Sequence, residues 1–254
     1  MRGYDFRGYA RGSLKRRILS RVRQEGLRSI SGLQERAIHD GLCMDRLLLD
    51  LSVNVTAMFR DPGFYLSFRR NVIPILRTYP FIRLWNAGCS TGEEAYSFAI
   101  LLKEEGLYDR ARIYATDSNE LVLQEARTGR FSLKNMREYT SNYIAGGGRR
   151  AFSEYYSTEG TTATLDPSLR SNIVFAPHNL VTDRSFNEFN AIVCRNVMIY
   201  FARPLQNRVH DLFHASLSPF GVLALGRKES IMFTEWADTY EEIDTAERIY
   251  RKVR

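Results

Sequence analysis

The stretch WNAGCSTGEEAYSFAI, residues 85–100, decides the fold, because a glycine-containing turn here joins a strand to a helix. The apolar segment RLWNAG (83–88) predicts a short buried strand, and EEAYSFAILLKEEG (93–106) predicts a helix that ends at Gly106. A strand, a glycine turn and a helix in this order are typical of the ligand-binding unit of a doubly wound α/β sheet. The turn differs from a phosphate-binding GxxxxGK[ST] loop, because GCSTGEE has two glutamates where that loop has a lysine.

From residue 83 to the end of the sequence, predicted strands alternate with predicted helices. The predicted strands are RIYATD (112–117), NAIVCRN (190–196) and GVLALG (221–226), and the predicted helices are NELVLQEARTG (119–129) and PLQNRVHDLFHASL (204–217). The last two runs, YEEID and RIYRKV, can pair antiparallel. This alternation predicts a parallel, doubly wound, Rossmann-like sheet of the α/β class in residues 83–254.

Residues 152–176 interrupt the alternation. They are rich in Tyr, Thr and Ser, with a turn at Glu159–Gly160. This composition predicts a small antiparallel β-subdomain inserted into the main domain.

Residues 1–62 predict a small all-helical domain. Ser13 and Ser31 are the expected N-caps of its first two helices, and MDRLLLDLSV (44–53) is the third. Pro62 suits the first turn of a further helix, so residues 63–82 are expected to form a linker helix.

Composition restricts the class of protein. The 254 residues are 44% hydrophobic, with no apolar run near the ~20 residues of a membrane span and no secretory signal. The three cysteines, Cys43, Cys89 and Cys194, form no CxxC pair. We therefore expect a globular, cytoplasmic protein without disulfides or membrane insertion.

The net charge of +7 belongs to the N-terminal segment. Residues 1–30 hold nine basic side chains against Asp5 and Glu25, and the remaining residues sum to zero. A local acidic partner is therefore expected.

The glycine turn indicates the ligand. Gly88 and Gly92 allow the backbone to approach it closely, and Asp117, which ends the next strand, is placed to hold ribose hydroxyls. Glu93 and Glu94 would repel a phosphate but attract a cation. S-adenosylmethionine fits, since its sulfonium and amino groups are positive and it has no phosphate. The alternative is that the turn only links strand to helix and that the glutamates favour the helix N-terminus.

Five motifs together resemble the CheR family, the chemotaxis receptor glutamate methyltransferases: NVTAMFR (54–60), AGCSTGEEAYS (87–97), ATD (115–117), HNL (178–180) and CRNVMIYF (194–201). The resemblance implies a class I methyltransferase domain with a helical N-terminal domain and an inserted β-subdomain. It also implies that S-adenosylmethionine methylates glutamate carboxylates on receptor coiled coils. The implied cofactor contacts are Asn54, Thr56, Arg60, Glu94, Asp117, Asn179, Leu180, Arg195 and Asn196, and Tyr200 matches a tyrosine near the transferred methyl group.

Methyl transfer to a glutamate carboxylate requires few catalytic side chains. A glutamate is already ionised near neutral pH, with a reference pKa of ~4.3, so no general base is required. Arg60 is the candidate to orient the incoming carboxylate, because a guanidinium binds it through two hydrogen bonds. Tyr200 can hydrogen-bond the substrate or line the methyl pocket. The alternatives are an exposed arginine at a helix start and a core tyrosine.

The basic N-terminal helix is the expected dock for the acidic face of a receptor helix, through Arg16, Arg17, Arg21 and Arg23. The alternative is a solvated face. Arg7 and Arg11 form an RxxxR pattern that suits a cyclic dinucleotide, but this spacing is common by chance. In some family members the β-subdomain docks a receptor's C-terminal pentapeptide. The segment 155–165 lacks a clear Gly/Arg-rich loop, so that docking is not expected here.

Other chemistries have weaker support. His210 and His214 have the spacing of HExxH but not its glutamate or a third ligand, so no metal is expected, and Cys194 is interpreted as a buried thiol. A nucleic-acid methyltransferase is a rival reading, but the sequence has no [DN]PP[YF] motif and no aromatic stack beside its basic stretch, so no nucleic-acid partner is expected. A third possibility is a sensor that binds the cofactor without turnover.

Overall fold

The computed structural model describes residues 8–51, 56–232 and 234–254. The strands in these residues are β1 Ile82–Ala87, β2 Ala111–Asp117, β3 Arg130–Ser132, β4 Tyr156–Glu159, β5 Thr162–Leu165, β6 Ile173–Pro177, β7 Phe189–Cys194, β8 Leu217–Leu225, β9 Tyr240–Asp244 and β10 Ile249–Lys252. The α-helices are α1 Arg11–Gln24, α2 Ile30–His39, α3 Gly41–Leu51, α4 Pro62–Ser67, α5 Ile73–Arg77, α6 Glu93–Glu104, α7 Glu120–Thr128, α8 Met136–Ala145 and α9 Arg203–Ser216.

A seven-stranded sheet with the order β6-β2-β1-β7-β8-β10-β9 is the centre of the molecule. The first five strands in this order pair parallel, and β10 pairs antiparallel with both β8 and β9. The strand order reverses between β1 and β7, which is where a doubly wound sheet binds its ligand. The predicted α/β class and the antiparallel end of the sheet are confirmed.

The opening stretch folds as predicted because its apolar residues are buried on both faces of β1. Trp85 is fully buried, and its Nε1–H donates to Thr116 Oγ1 of β2 at 2.8 Å, which satisfies the indole inside the core. Helix α6 is buried from Ala95 to Leu102, so it packs deeply against the sheet. The glycine turn is thereby fixed between two buried elements.

The small β-subdomain is present, but its limits differ from the predicted 152–176. Strands β4 and β5 form the expected hairpin, and β3 pairs with β5 to make a three-stranded antiparallel sheet. Ile173–Pro177 instead belongs to the main sheet, where β6 pairs with β2. The sequence gives little sign of β3, because only three residues follow the helix stop at Gly129 before the chain turns again.

A buried carboxylate ties the small sheet's flank to α6. The carboxylate of Glu104 accepts from the hydroxyl groups of Tyr143 and Tyr155 and pairs with Arg69. Tyr143 lies on α8, a helix that the sequence analysis did not predict. Burial raises the pKa of Glu104, but hydrogen bonds from Tyr143 and the Arg149 N–H, together with the charge of Arg69, hold it below its usual value.

The N-terminal helices form their own small core around Leu33 and Cys43. Both predicted caps are wrong: α1 begins at Arg11 with Ala10 as its N-cap residue, and α2 is capped by Ser29, whose hydroxyl accepts from the Gly32 N–H. Basic and polar residues surround both predicted caps, which left the starting points ambiguous in the sequence.

The predicted linker helix corresponds to α4, a π-helical turn at Phe68–Val72, and α5. Phe64, Tyr65 and Phe68 are fully buried in the core of the main sheet, so this helix packs as part of the large domain. The limits 1–62, 63–82 and 83–254 stay a prediction. No helix in the described residues is both long and apolar enough to cross a membrane.

Candidate active site

A cleft opens at the carboxyl ends of β1, β2, β6 and β7, the edge of a doubly wound sheet where ligands bind. The predicted site residues that line it are Thr56, Arg60, Gly88, Glu94, Asp117, Asn179, Leu180, Arg195, Asn196 and Tyr200. Asn54 lies outside the described residues. The parallel strands bring these distant segments together because their carboxyl ends lie at one edge of the sheet.

The glycine turn is bonded to the neighbouring strand. The N–H groups of Gly88 and Cys89 both donate to the Thr116 carbonyl, at 2.7 and 2.9 Å. Gly88 has a φ of 77°, and a Cβ there would lie 2.4 Å from a methyl group of Val197. A side chain at this position is therefore excluded both by the backbone conformation and by the loop after β7.

Gly92 does not line the cleft, and its contact with the ligand stays a prediction. It has a φ of 94°, and a Cβ there would lie 3.0 Å from the Ala126 side chain. Gly92 therefore allows the start of α6 to pack closely on α7.

Asp117 ends β2 with its carboxylate at the cleft. One oxygen accepts from the Ser90 N–H and the other from the Asn119 N–H, both at 3.0 Å. Each carboxylate oxygen has two acceptor sites, so capacity remains for further donors. Burial raises the pKa of Asp117 above its usual value.

Glu94 belongs to a buried ion-pair network. Its carboxylate accepts from Asn86 Nδ2 at 2.8 Å and from the Arg195 guanidinium at 2.6 Å. Arg195 also donates to Asp61 at 2.8 Å and to the Arg60 carbonyl at 3.0 Å. The Arg195 guanidinium thus joins the glycine-turn helix to the loop that carries Arg60.

That loop holds Arg60 in a strained backbone. The residues on either side, Phe59 and Asp61, have φ values of 52° and 58°, which are unfavourable for residues other than glycine. The Phe59 N–H donates to Ser97 Oγ at 2.9 Å, and its ring is fully buried. The surroundings therefore impose a turn that places Arg60 on the wall of the cleft.

The loop after β7 is held by the buried carboxylate of Glu229. Its oxygens accept from the N–H groups of Asn196, Val197 and Met198 at 2.7–2.9 Å, from Ile199 at 3.3 Å and from Gly226 at 2.7 Å. Asn196 has a φ of 60°. The loop ends at Tyr200, and the guanidinium of Arg17 lies 5.2 Å from the centre of the Tyr200 ring.

Some cleft residues escaped the sequence analysis. Val197 and Phe201 lie inside the CRNVMIYF motif, so the motif itself was the available signal. Tyr9 also lines the cleft, and nothing in the sequence around it indicated a site.

Comparison with known proteins decides the family. Residues 54–247 match the family described as "CheR methyltransferase, SAM binding domain", and residues 1–52 match "CheR methyltransferase, all-alpha domain". The chain belongs to the CheR methyltransferase family. It is therefore an S-adenosylmethionine-dependent methyltransferase that acts on protein.

Relatives support the CheR assignment over almost the whole chain. A Pseudomonas putida protein named methyltransferase Cher3 is 50% identical over 249 residues, which are 98% of this chain and 91% of that protein. The chemotaxis protein methyltransferase of Listeria innocua is 32% identical, with 91% of this chain and 86% of that protein covered. The Escherichia coli chemotaxis protein methyltransferase is 28% identical, with 89% and 79% covered.

The cleft of this CheR methyltransferase suits its cofactor in charge and polarity. Glu94 offers a carboxylate to a cationic amino group, and Asp117 offers unused acceptor sites to hydroxyl donors. The two carboxylates lie in one cleft that also reaches Arg60 and Tyr200. The side chains therefore match an adenosine with a positively charged amino-acid end.

The predicted docking arginines of the CheR helical domain have different surroundings. Arg16 and Arg23 are exposed on α1, and Arg17 contacts Tyr200 as described. Arg21 is mostly buried and pairs with Asp50 at 2.7 Å, so its guanidinium stabilises the helical domain. Of the RxxxR pair, Arg11 is exposed on α1 and Arg7 lies outside the described residues.

The remaining candidate residues have structural surroundings. His210 is buried, which lowers its pKa to about 4, and His214 stacks on Trp236. Within the described residues no group of three or more His, Cys, Asp or Glu side chains is arranged to hold a metal ion. Cys194 is a buried thiol, as interpreted from the sequence, and burial raises its pKa well above the usual value.

Proposed function

We propose that this chain transfers the methyl group of S-adenosylmethionine to glutamate side-chain carboxylates of chemotaxis-type receptors, giving methyl esters. The observation that carries the proposal is the position of Arg60, which a strained turn holds at the cleft that Glu94, Asp117 and Tyr200 also line. The names of the Listeria and Escherichia coli relatives agree with a role in chemotaxis.

In this proposal the cofactor lies along the carboxyl ends of the strands. Asp117 accepts from the ribose hydroxyls, and Glu94 faces the amino group of the methionine end, with Thr56, Asn179, Leu180 and Asn196 as the further contacts. Arg195 acts through the groups it holds, because its guanidinium is engaged by Glu94 and Asp61. When bound, S-adenosylmethionine supplies an electrophilic methyl group on a positively charged sulfur.

The protein's task is then to orient the substrate carboxylate. A glutamate with a reference pKa of ~4.3 arrives ionised, so no side chain has to remove a proton. Arg60 binds the carboxylate and aligns one oxygen with the methyl group, and Tyr200 forms the wall beside the transferred group. Positioning and charge neutralisation are sufficient for this reaction.

The receptor is proposed to dock through its cytoplasmic coiled-coil domain, which places the reaction in the cytoplasm. Acidic residues on that coil would meet Arg16 and Arg23 on α1. Arg17 lies between this basic face and the cleft, over the Tyr200 ring. A helix lying along α1 would thus pass close to the reactive end of the cleft.

The test is methylation with labelled S-adenosylmethionine. The protein is incubated with a receptor cytoplasmic domain or with nucleic acid, and the label is assayed for release as methanol in mild base. Base-labile label on the receptor is expected. Stable label on nucleic acid would contradict the proposal, and cofactor binding without any turnover would favour a sensor.

Variants connect the activity to the site. Arg60→Ala is expected to lower kcat/KM for receptor methylation by about 100-fold, since the carboxylate loses a charge-assisted, two-point contact. Arg150→Ala is the matched control, because Arg150 is exposed beside the small sheet and does not line the cleft. Equal losses in the two variants would remove Arg60 from the proposed role.

A further inference from the structure

A short segment before α1 attaches the helical domain to the cleft. The Ala10 N–H donates to the Tyr200 carbonyl, and the Ala202 N–H donates to the Gly8 carbonyl, both at 2.8 Å. Tyr9 and Phe201 form the antiparallel bridge between these bonds. The segment 8–10 therefore runs alongside the loop that presents Tyr200.

Close packing fixes the position of this segment. A Cβ at Gly8 would lie 2.8 Å from a methyl group of Leu205 on α9, so the backbone lies directly against that helix. The Tyr9 ring makes an edge contact with Phe201, with 4.9 Å between the ring centres. The backbone bonds and the ring contact together direct the Tyr9 side chain into the cleft, which it lines together with Asp117.

The Tyr9 phenol is kept protonated. Burial and the nearby Asp117 carboxylate raise the pKa of Tyr9 to about 12. Its hydroxyl is therefore neutral at physiological pH and has a proton to donate.

The polar groups at this end of the cleft complement a nucleoside. Asp117 supplies acceptors only, whereas each hydroxyl of a ribose both donates and accepts. A donor is therefore needed beside Asp117 if the ribose oxygens are to be satisfied in a half-buried site. The Tyr9 hydroxyl provides that donor, and its ring provides an apolar wall.

We propose that Tyr9 is a cofactor-binding residue, which donates a hydrogen bond to the nucleoside end of S-adenosylmethionine and covers that end with its ring. This rests on the placement of the ribose at Asp117 under the proposed function. The helical domain then contributes directly to the cofactor site, through a residue that precedes its first helix.

Calorimetry with S-adenosylhomocysteine tests the proposal. Tyr9→Phe keeps the ring and the backbone bridge but loses the hydroxyl, so binding is expected to weaken by about threefold to tenfold. Tyr9→Ala also loses the apolar wall, and binding is expected to weaken by about 30-fold or more. Tyr156→Phe is the matched control, because Tyr156 is a half-buried tyrosine on β4 that does not line the cleft.

A second ligand locates the contact. The same fold-losses are expected with 5′-methylthioadenosine, which has the nucleoside but not the amino-acid end. A loss that is confined to S-adenosylhomocysteine would overturn the assignment to the nucleoside end. Unchanged affinity of Tyr9→Phe and Tyr9→Ala for both ligands would overturn the proposal as a whole.

A negative result for Tyr9 can be distinguished from a failure of the proposed receptor methylation. Wild-type binding of S-adenosylhomocysteine tests the cofactor site without any receptor, so an inactive receptor substrate does not affect the result. Thermal melting of each variant shows whether the protein remains folded. A Tyr9→Ala variant that fails to fold leaves Tyr9→Phe, which keeps every apolar contact, to decide the question.

Discussion

Replacing Arg195 by methionine removes the guanidinium that neutralises two carboxylates in the interior. The Arg195 side chain is 2% exposed, that of Glu94 is 14% exposed and that of Asp61 is 32% exposed. Methionine fills much of the same volume beside Phe64, over which the guanidinium lies at 4.0 Å. The variant therefore measures the effect of removing the positive charge, with little change in packing.

The expected loss in the free energy of unfolding depends on how buried each carboxylate is. Breaking a buried ion pair by removing one partner costs about 3–5 kcal/mol, because the other charge stays buried. Glu94 keeps its bond from Asn86, and Asp61 is exposed enough for water to screen most of its share. We expect a loss of about 3 kcal/mol, near the lower limit, which corresponds to a fall in Tm of about 6–12 °C for a chain of this size.

Scanning calorimetry of the purified variants measures this loss. Arg127→Met is the matched control, because Arg127 also pairs with a carboxylate, Glu120 at 2.6 Å, but both side chains are exposed, at 38% and 46%. Its loss should stay below about 1 kcal/mol. Adding Glu94→Gln to Arg195→Met should restore part of the stability, since the unpaired charge is removed. An Arg195→Met protein that melts within about 2 °C of the wild type would refute the reasoning.

Three further predictions concern other parts of the molecule. Asp117→Asn should weaken S-adenosylhomocysteine binding by about tenfold or more in calorimetry, since the amide loses charge and acceptor sites; unchanged affinity would contradict the ribose contact. Gly88→Ala should cost about 1–3 kcal/mol in urea unfolding, because of its φ of 77° and the 2.4 Å approach to Val197; unchanged stability would show that the turn relaxes. The pKa of Glu25 is lowered from 4.5 to about 2, mainly by the hydrogen bond from Arg46. The ionised Glu25 therefore stabilises the folded protein fully above pH 4.5, and this contribution is lost as the pH falls towards 2. Glu25→Gln should therefore lower the urea midpoint at pH 7 by an amount that shrinks across that range, and a pH-independent difference would rule out the ion pair as its cause.

The sheet and the residues around its glycine turn were predictable because their signals are local. An apolar strand, a glycine turn and a helix follow one another without interruption from residue 83, and Asp117 ends the next strand. The period with which apolar residues recur in the sequence indicates whether such a segment forms a strand or a helix. The positions of Gly88, Glu94 and Asp117 around one cleft then follow from the parallel order of the strands.

The surroundings that the sequence did not indicate depend on contacts between distant segments. The φ of Gly92 and its close neighbour Ala126 reflect the packing of two helices, which the sequence did not indicate. Arg21 was assigned to a docking face together with its neighbours, yet its partner Asp50 lies 29 residues away on another helix. Tyr9 reaches the cleft only because its backbone pairs with residues near 201. The spacing of residues along the sequence does not indicate which of these distant segments contact one another.

The carboxylate of Glu229 gives the loop after β7 a property that matters for altering the enzyme. Every group it holds in residues 196–199 is a main-chain N–H, so these hydrogen bonds do not depend on which side chains residues 199 and 200 carry. Ile199 and Tyr200 can therefore be exchanged to accept a different acceptor group while the backbone keeps its course. The loop is a ready platform for redesigning substrate choice, provided that residue 229 itself is left in place.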